Sequence, residues 1–172
     1  MGRPLMSRKG DLAMLSYFVL HIPLTLLFDA QFLAPEFTRS HWPAFLLDAV
    51  QDYLRDSNDF LVKLQPVWFM SFLTCEMLFQ LPLNLIMVHA LATDAPHTRT
   101  TGIIYAVHTA TTMVPILTEV FLGPGAAIVG QTQPQWLYMA AIYFIWLAVP
   151  LLILAAMLSR QPTHTTHKLK KE

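Results

Sequence analysis

The chain has 172 residues, of which 55% are hydrophobic and 13% charged, about half the charged fraction of an ordinary soluble domain; its length suits one domain. Eleven Lys/Arg balance eleven Asp/Glu, and no concentrated basic surface with interleaved aromatics appears, which argues against a nucleic-acid partner. The charge lies almost wholly outside four long apolar runs, so the expected fold is an all-α membrane protein, a four-transmembrane-helix bundle.

Residues 1–11 carry Arg3, Arg8 and Lys9 and precede the first apolar run, 12–33. That run is too long for a signal-peptide core, holds His21, Pro23 and Asp29, and has no clear small-residue cleavage site, so it reads as a retained helix. The other runs are 67–91, 102–122 and 136–158, each reaching the roughly 20 residues needed to cross a bilayer. None shows the alternation of a membrane barrel strand. Each run contains one proline, Pro23, Pro82, Pro115 or Pro150. A proline removes a helical hydrogen bond, and kinks there would open space between helices, with neighbours satisfying the freed carbonyls. The single cysteine, Cys75, cannot form an intramolecular disulfide.

Between the first two runs lie residues 34–66, long for a plain connection. WPAFLLDAVQDYLRD places Trp42, Phe45, Leu46, Ala49, Val50, Tyr53 and Leu54 at helical spacing. An amphipathic helix over about 42–56 is expected, with Ser40 as N-cap and Pro43 in the first turn. Its apolar face suits a lid over the bundle mouth.

The membrane runs also carry polar stripes. Tyr17, His21, Thr25 and Asp29 recur every fourth residue in the first, and Glu76, Gln80 and Asn84 do so in the second. Tyr105, His108 and Thr112, with Glu119 further along, mark the third; Tyr143 and Trp146 mark the fourth. These groups are expected to converge on one cavity toward the loop-helix end, with His21, Gln80 and His108 deepest. A charged carboxylate at the bilayer centre costs about 2.5–3.5 kcal/mol on insertion scales. Asp29 and Glu76 are therefore expected to pair as one carboxylate and one carboxylic acid sharing a hydrogen bond. Such a pair suits an amine, a hydroxyl or a developing cation. For His21, His108 and Asn84 the spacing also fits plain interhelical hydrogen bonding. No helical His-x-x-Glu or His-x-x-x-His spacing occurs among these groups, and no Gly-rich phosphate loop, so neither a metal nor a cofactor is expected.

The tail, 159–172, is basic and ends KLKKE. Eight of the eleven Lys/Arg fall in the N-terminus, the second loop and the tail (Arg3, Arg8, Lys9, Arg99, Arg160, Lys168, Lys170, Lys171), leaving Arg39, Arg55 and Lys63 in the first loop. Positive-inside bias then puts both termini in the cytosol. Lys168 and Lys170 fit a dilysine signal for retrieval to the endoplasmic reticulum, a receptor-read address.

Four stretches, YFVLHIPLTLLFDAQ, QPVWFMSFLTCEMLFQLP, IIYAVHTATTMVPIL and YFIWLAVPLLI, together resemble the sigma-2 receptor family of EXPERA-domain proteins. The resemblance spans all four runs in order. It implies an endoplasmic-reticulum protein, a homodimer, with a lipid-accessible pocket for sterols, other lipids and cationic amphiphiles, acting in sterol homeostasis or trafficking beside a sterol-transporting membrane partner. By the same resemblance Asp29 pairs a ligand amine and Glu76 holds it. Asp59 matches a further acidic position, while Gln80, Thr112 and Tyr143 match pocket positions. Trp146 stands where the family has tyrosine. The related emopamil-binding protein is a sterol isomerase, and an isomerase here would use Glu76, Asp29, His108 and Trp146. Its second-helix histidine is replaced by Phe72, which argues for binding without isomerisation.

Overall fold

Long apolar segments bounded by polar caps wind into helices, in the order α1 (Lys9–Leu33), α2 (Ala44–Ser57), α3 (Phe60–Leu64), α4 (Val67–Thr93), α5 (Thr98–Leu122), α6 (Gly125–Ile128) and α7 (Gln133–Ser159). The structure is a computed structural model and describes residues 4–34, 38 and 41–160. Lys168, Lys170 and Ser40 lie outside the described residues. Among the described residues there is no strand, and α1, α4, α5 and α7 are long and apolar enough to cross a bilayer. The chain is a multi-pass, all-α membrane protein.

Helix ends are set by capping chemistry as well as by hydropathy. Helix α7 starts in polar sequence because Thr132 and Gln135 form a reciprocal capping box and Pro134 sits in its first turn. Helix α4 stops at Asp94, which adopts a left-handed conformation (φ 54°) and closes the last turn onto the Ala90 carbonyl. The loop helix α2 begins at Ala44. Pro43 occupies the capping position with no side-chain cap, so it sits just outside the first turn.

Helices α5 and α7 pack along each other, and α1 packs against α4. The helices enclose two apolar clusters. One, at the loop-helix end, gathers Phe60, Leu61, Phe69, Leu73, Met113 and Met139; the other gathers Phe18, Met87, Leu91, Tyr105 and Met157. Gly125 lets α6 lie on the ring of Phe60, for a Cβ there would collide with it. Leu20, Phe79, Ile104, Val114, Phe144 and Leu152 point outward, as a lipid-facing surface requires, since the backbone of each helix is satisfied internally.

The opposite end is locked by charge. Asp11 receives Arg8 at 2.6 Å and Arg160 at 2.7 Å, while Arg8 also donates to the Leu91 carbonyl at 2.9 Å and approaches Asp94 at 3.5 Å. One cluster thus ties the start of α1, the α4–α5 turn and the end of α7. Removing one partner strands a charge, but Arg160 is partly exposed, so the loss is discounted for screening. Arg160→Ala is expected to destabilise the bundle by about 1–2 kcal/mol, read as a lower midpoint in thermal unfolding in detergent. An unchanged midpoint would make the cluster a surface feature.

Candidate functional site

Two of the membrane helices change pitch where the polar stripes lie. Within α1, residues Thr25–Asp29 form a π-turn, and within α4, Glu76–Gln80 do the same. Proline chemistry helps to explain the second. Pro82 cannot donate, and its ring presses on the carbonyl four residues back, that of Leu78, inside the widened turn. In an ordinary α-helix a side chain four residues on has drifted by about 40°. A π-turn fits an extra residue into the turn and cancels much of that drift. His21, Thr25 and Asp29 therefore remain turned toward the same cleft.

The two π-turns are tied to each other. Thr25 donates its hydroxyl to Glu76 Oε1 at 3.0 Å, and His21 Nε2 lies 3.3 Å from the same oxygen. His21 Nδ1 is 3.1 Å from the Tyr105 hydroxyl, itself 2.7 Å from that of Tyr17. The Trp146 indole lies over the His21 ring, centroids 4.8 Å apart and planes 32° apart. A continuous polar chain thus runs from Glu76 through His21 and Tyr105 to Tyr17. Beside it, buried Gln80 accepts a hydrogen bond from Thr109 at 2.8 Å.

These groups face a cavity of about 290 Å³ between α1, α4, α5 and α7, closed at one end by α2 and α3. Of the residues singled out in the sequence, His21, Asp29, Glu76, Gln80, Thr112, Tyr143 and Trp146 all line it. The remaining wall is mostly apolar, including Phe28, Phe69, Phe72, Leu73, Met113 and Ile116. Val50 and Tyr53 bring α2 over one end, in the manner of a lid.

Thr25 and His21 engage Oε1 of Glu76, and Asp29 lines the same cavity. Several expectations need correction. Asp59 does not line the cavity. It is fully buried, caps α3 by accepting from the Leu61 and Val62 amides (2.8 and 3.3 Å), and receives the hydroxyls of Tyr53 and Tyr143 (2.6 and 2.9 Å). Burial pushes its carboxyl above the ordinary range against the pull of those donated bonds, and burial likewise pushes up the Tyr53 hydroxyl, which stays protonated as a donor. His108 is not among the lining residues either. Its neighbour Thr109 turns inward, while the His108 ring sits 6.2 Å from that of Phe79. Asn84, expected to bond across helices, is buried with neither amide atom hydrogen-bonded among the described residues. Also among the described residues, no three His, Cys, Asp or Glu side chains come together as a metal-binding group.

Sequence reasoning did not single out Thr109, and Tyr17 and Tyr105 of the polar stripes meet each other away from the cavity lining. Thr109 was legible, being four residues beyond Tyr105 and three before Thr112, on the same face. The π-turns carry no comparable sequence signal beyond the neighbouring prolines.

Fold and site together define a multi-pass membrane protein with an acidic intramembrane cavity. Residues 45–157 match the profile described as EBP: EXPERA (EXPanded EBP superfamily). Over its whole length the chain is similar to "Sigma intracellular receptor 2" of Homo sapiens, at 33% identity over 179 residues, covering 100% of this chain and 99% of that protein. The protein of the same name from Xenopus tropicalis is 34% identical, covering 91% of this chain and 92% of its own. A shorter match, 32% over 74 residues, is to "Efficient mitochondria targeting-associated protein 19" of Saccharomyces cerevisiae, covering 42% of this chain and 44% of that one. The chain belongs to the EXPERA family.

Proposed function

We propose that this protein binds sterols or related lipids, and cationic amphiphiles, in the cavity between its membrane helices, and that it acts in sterol homeostasis or trafficking in the endoplasmic reticulum. The observation that carries this reading is the division of labour between two carboxylates on one apolar cavity. Glu76 is engaged by Thr25 and His21, and Asp29 lines the cavity among Leu24, Phe28 and Phe32. A charge in apolar surroundings attracts a cationic or hydroxyl-bearing head, and the hydrocarbon walls take an apolar body. Likeness to a sigma intracellular receptor along the whole chain supports a ligand-binding role. Lipid extracted from detergent-purified protein is expected to be enriched in sterol over the surrounding membrane, as read by mass spectrometry. A profile equal to bulk membrane lipid would reject the reading.

In this reading both termini are cytosolic, residues 34–66 are lumenal, the protein acts as a homodimer, and its partner is a sterol-transporting membrane protein. The double variant Lys168→Ser/Lys170→Ser is expected to leave the endoplasmic reticulum for later compartments, followed by microscopy. Unchanged localisation would mean that the tail is only a basic flank. Protection of a C-terminal epitope from protease in sealed microsomes would reverse the topology.

A second reading, a sterol or terpenoid double-bond isomerase, is favoured by His21 lying between Glu76 and Tyr105 under the Trp146 ring, an acid–base pair beside an aromatic face suited to a carbocation. Phe72 on the cavity wall supports binding instead. Double-bond migration in an unsaturated sterol incubated with purified protein decides between them.

A further inference from the structure

A second chamber, of about 280 Å³, adjoins the cavity at the loop-helix end. Phe32, Val50 and Val62 line both spaces, so these three side chains are the wall between them. They come from three different elements, α1, α2 and α3. Each of those segments also supplies one glutamine to the outer chamber: Gln31 beside Phe32, Gln51 beside Val50, and Gln65 just past Val62. The repetition has a geometric origin on α2, where Leu47, Val50, Gln51 and Leu54 share one face at i, i+3, i+4 and i+7. Gln65 is held at the end of α3 in the left-handed region (φ 45°), with its amide on the Leu61 carbonyl.

The two chambers differ in chemistry. The inner one carries two carboxylates in a mainly apolar wall. The outer one is ringed by three carboxamides, the Thr38 hydroxyl and the Trp42 indole, and none of the described residues lining it is ionisable. The Gln51 and Gln65 carboxamides offer both donors and acceptors, while Gln31 already donates to the Leu27 carbonyl; an ion moved there would lose water and find no counter-charge among the described lining residues. The wall is also uneven. Val50 and Val62 are buried, and both are β-branched and stiff at χ1, while Phe32 is half-buried. Phe32 is therefore the side chain that can swing aside.

We propose that the outer chamber is a second subsite, which takes the far end of a long amphiphile when that end bears a neutral hydrogen-bonding group such as a carboxamide or hydroxyl. This rests on the reading of the inner cavity as an amine and lipid site. The ligand's head sits by Asp29, its chain passes Phe32, and its far end meets the glutamines.

The test uses primary alkylamines of increasing length with a methyl, carboxamide, carboxylate or second ammonium at the far end, bound to the full-length protein. Beyond a threshold length the carboxamide series is expected to bind about tenfold more tightly than the methyl series, with no gain for either charged end. Gln51→Leu/Gln65→Leu should abolish that gain and leave amines shorter than the threshold unchanged, and Phe32→Ala should move the threshold to shorter chains. No carboxamide gain at any length, with methyl-ended amines still binding, overturns the second subsite and leaves the inner site standing. A gain that survives the double glutamine variant also overturns it. Failure of every amine to bind removes the inner site and this proposal with it. The length dependence in the unaltered protein needs no variant to fold.

Discussion

Asp29→Asn is expected to weaken binding of a cationic amphiphile by at least about a hundredfold, about 2.7 kcal/mol, while a neutral sterol loses far less. An ammonium entering this cavity leaves water behind, and only a carboxylate repays that loss through a charge-assisted hydrogen bond. Asparagine keeps the volume and a hydrogen-bonding oxygen, so the apolar walls and the shape of the π-turn survive. A sterol needs those walls and one hydrogen bond, and retains both. Glu76→Gln separates the two carboxylates. Its amide oxygen still accepts from Thr25, which lies 3.0 Å from Glu76 Oε1, so α1 and α4 stay joined and amine affinity falls less than for Asp29→Asn. Binding of one amine and one sterol to both variants reads this directly. Equal losses of amine and sterol affinity for Asp29→Asn would make the residue a structural strut, and the charge argument would fail.

The legible parts of this molecule were those set by one-dimensional physics. A bilayer demands long uncharged helices, and four such runs stood out. Polar residues inside them are costly, so Asp29, Glu76, Gln80 and His21 marked a cavity that they do line. What stayed hidden depended on rotation about a helix axis or on contacts distant in sequence. His108 and Thr109 are neighbours, and hydropathy cannot say which of them faces inward; the Gln80 amide oxygen receives Thr109. Arg8 and Arg160 counted only toward the positive-inside bias, and the pairing of Asp11 with Arg160 was hidden because it joins the two ends of the chain. Asp59 is the instructive case. An aspartate directly before Phe-Leu-Val is a helix-start signal, yet the resemblance to a ligand-binding family drew attention to its charge. The local rule accounts for the Leu61 and Val62 amides that Asp59 accepts.

That role predicts a larger stability effect than the loss of Arg160 from the ion cluster. In Asp59→Ala four donors lose their acceptor at once: the Leu61 and Val62 amides and the hydroxyls of Tyr53 and Tyr143. Each buried donor left unpaired costs about 1–3 kcal/mol, but the first turn of a short helix can shift toward water and recover part of it. A net loss of about 3–5 kcal/mol is therefore expected, measured by denaturant or thermal unfolding in detergent. Asp59→Asn should lose only about 1–2 kcal/mol. Its oxygen can still cap α3, and the tyrosine hydroxyls can turn to accept from its amide. The cavity should feel the change indirectly. Tyr143 lines it, and so do Tyr53 and Val62 on the two elements that Asp59 joins, so freeing them loosens the end of the cavity beneath the outer chamber. Sterol and amine affinity should fall together in Asp59→Ala, unlike the charge-selective loss in Asp29→Asn. Wild-type stability combined with a selective loss of the amine would instead make Asp59 a direct ligand partner. The tyrosine clamp would then not be the reason a carboxylate is buried at that corner.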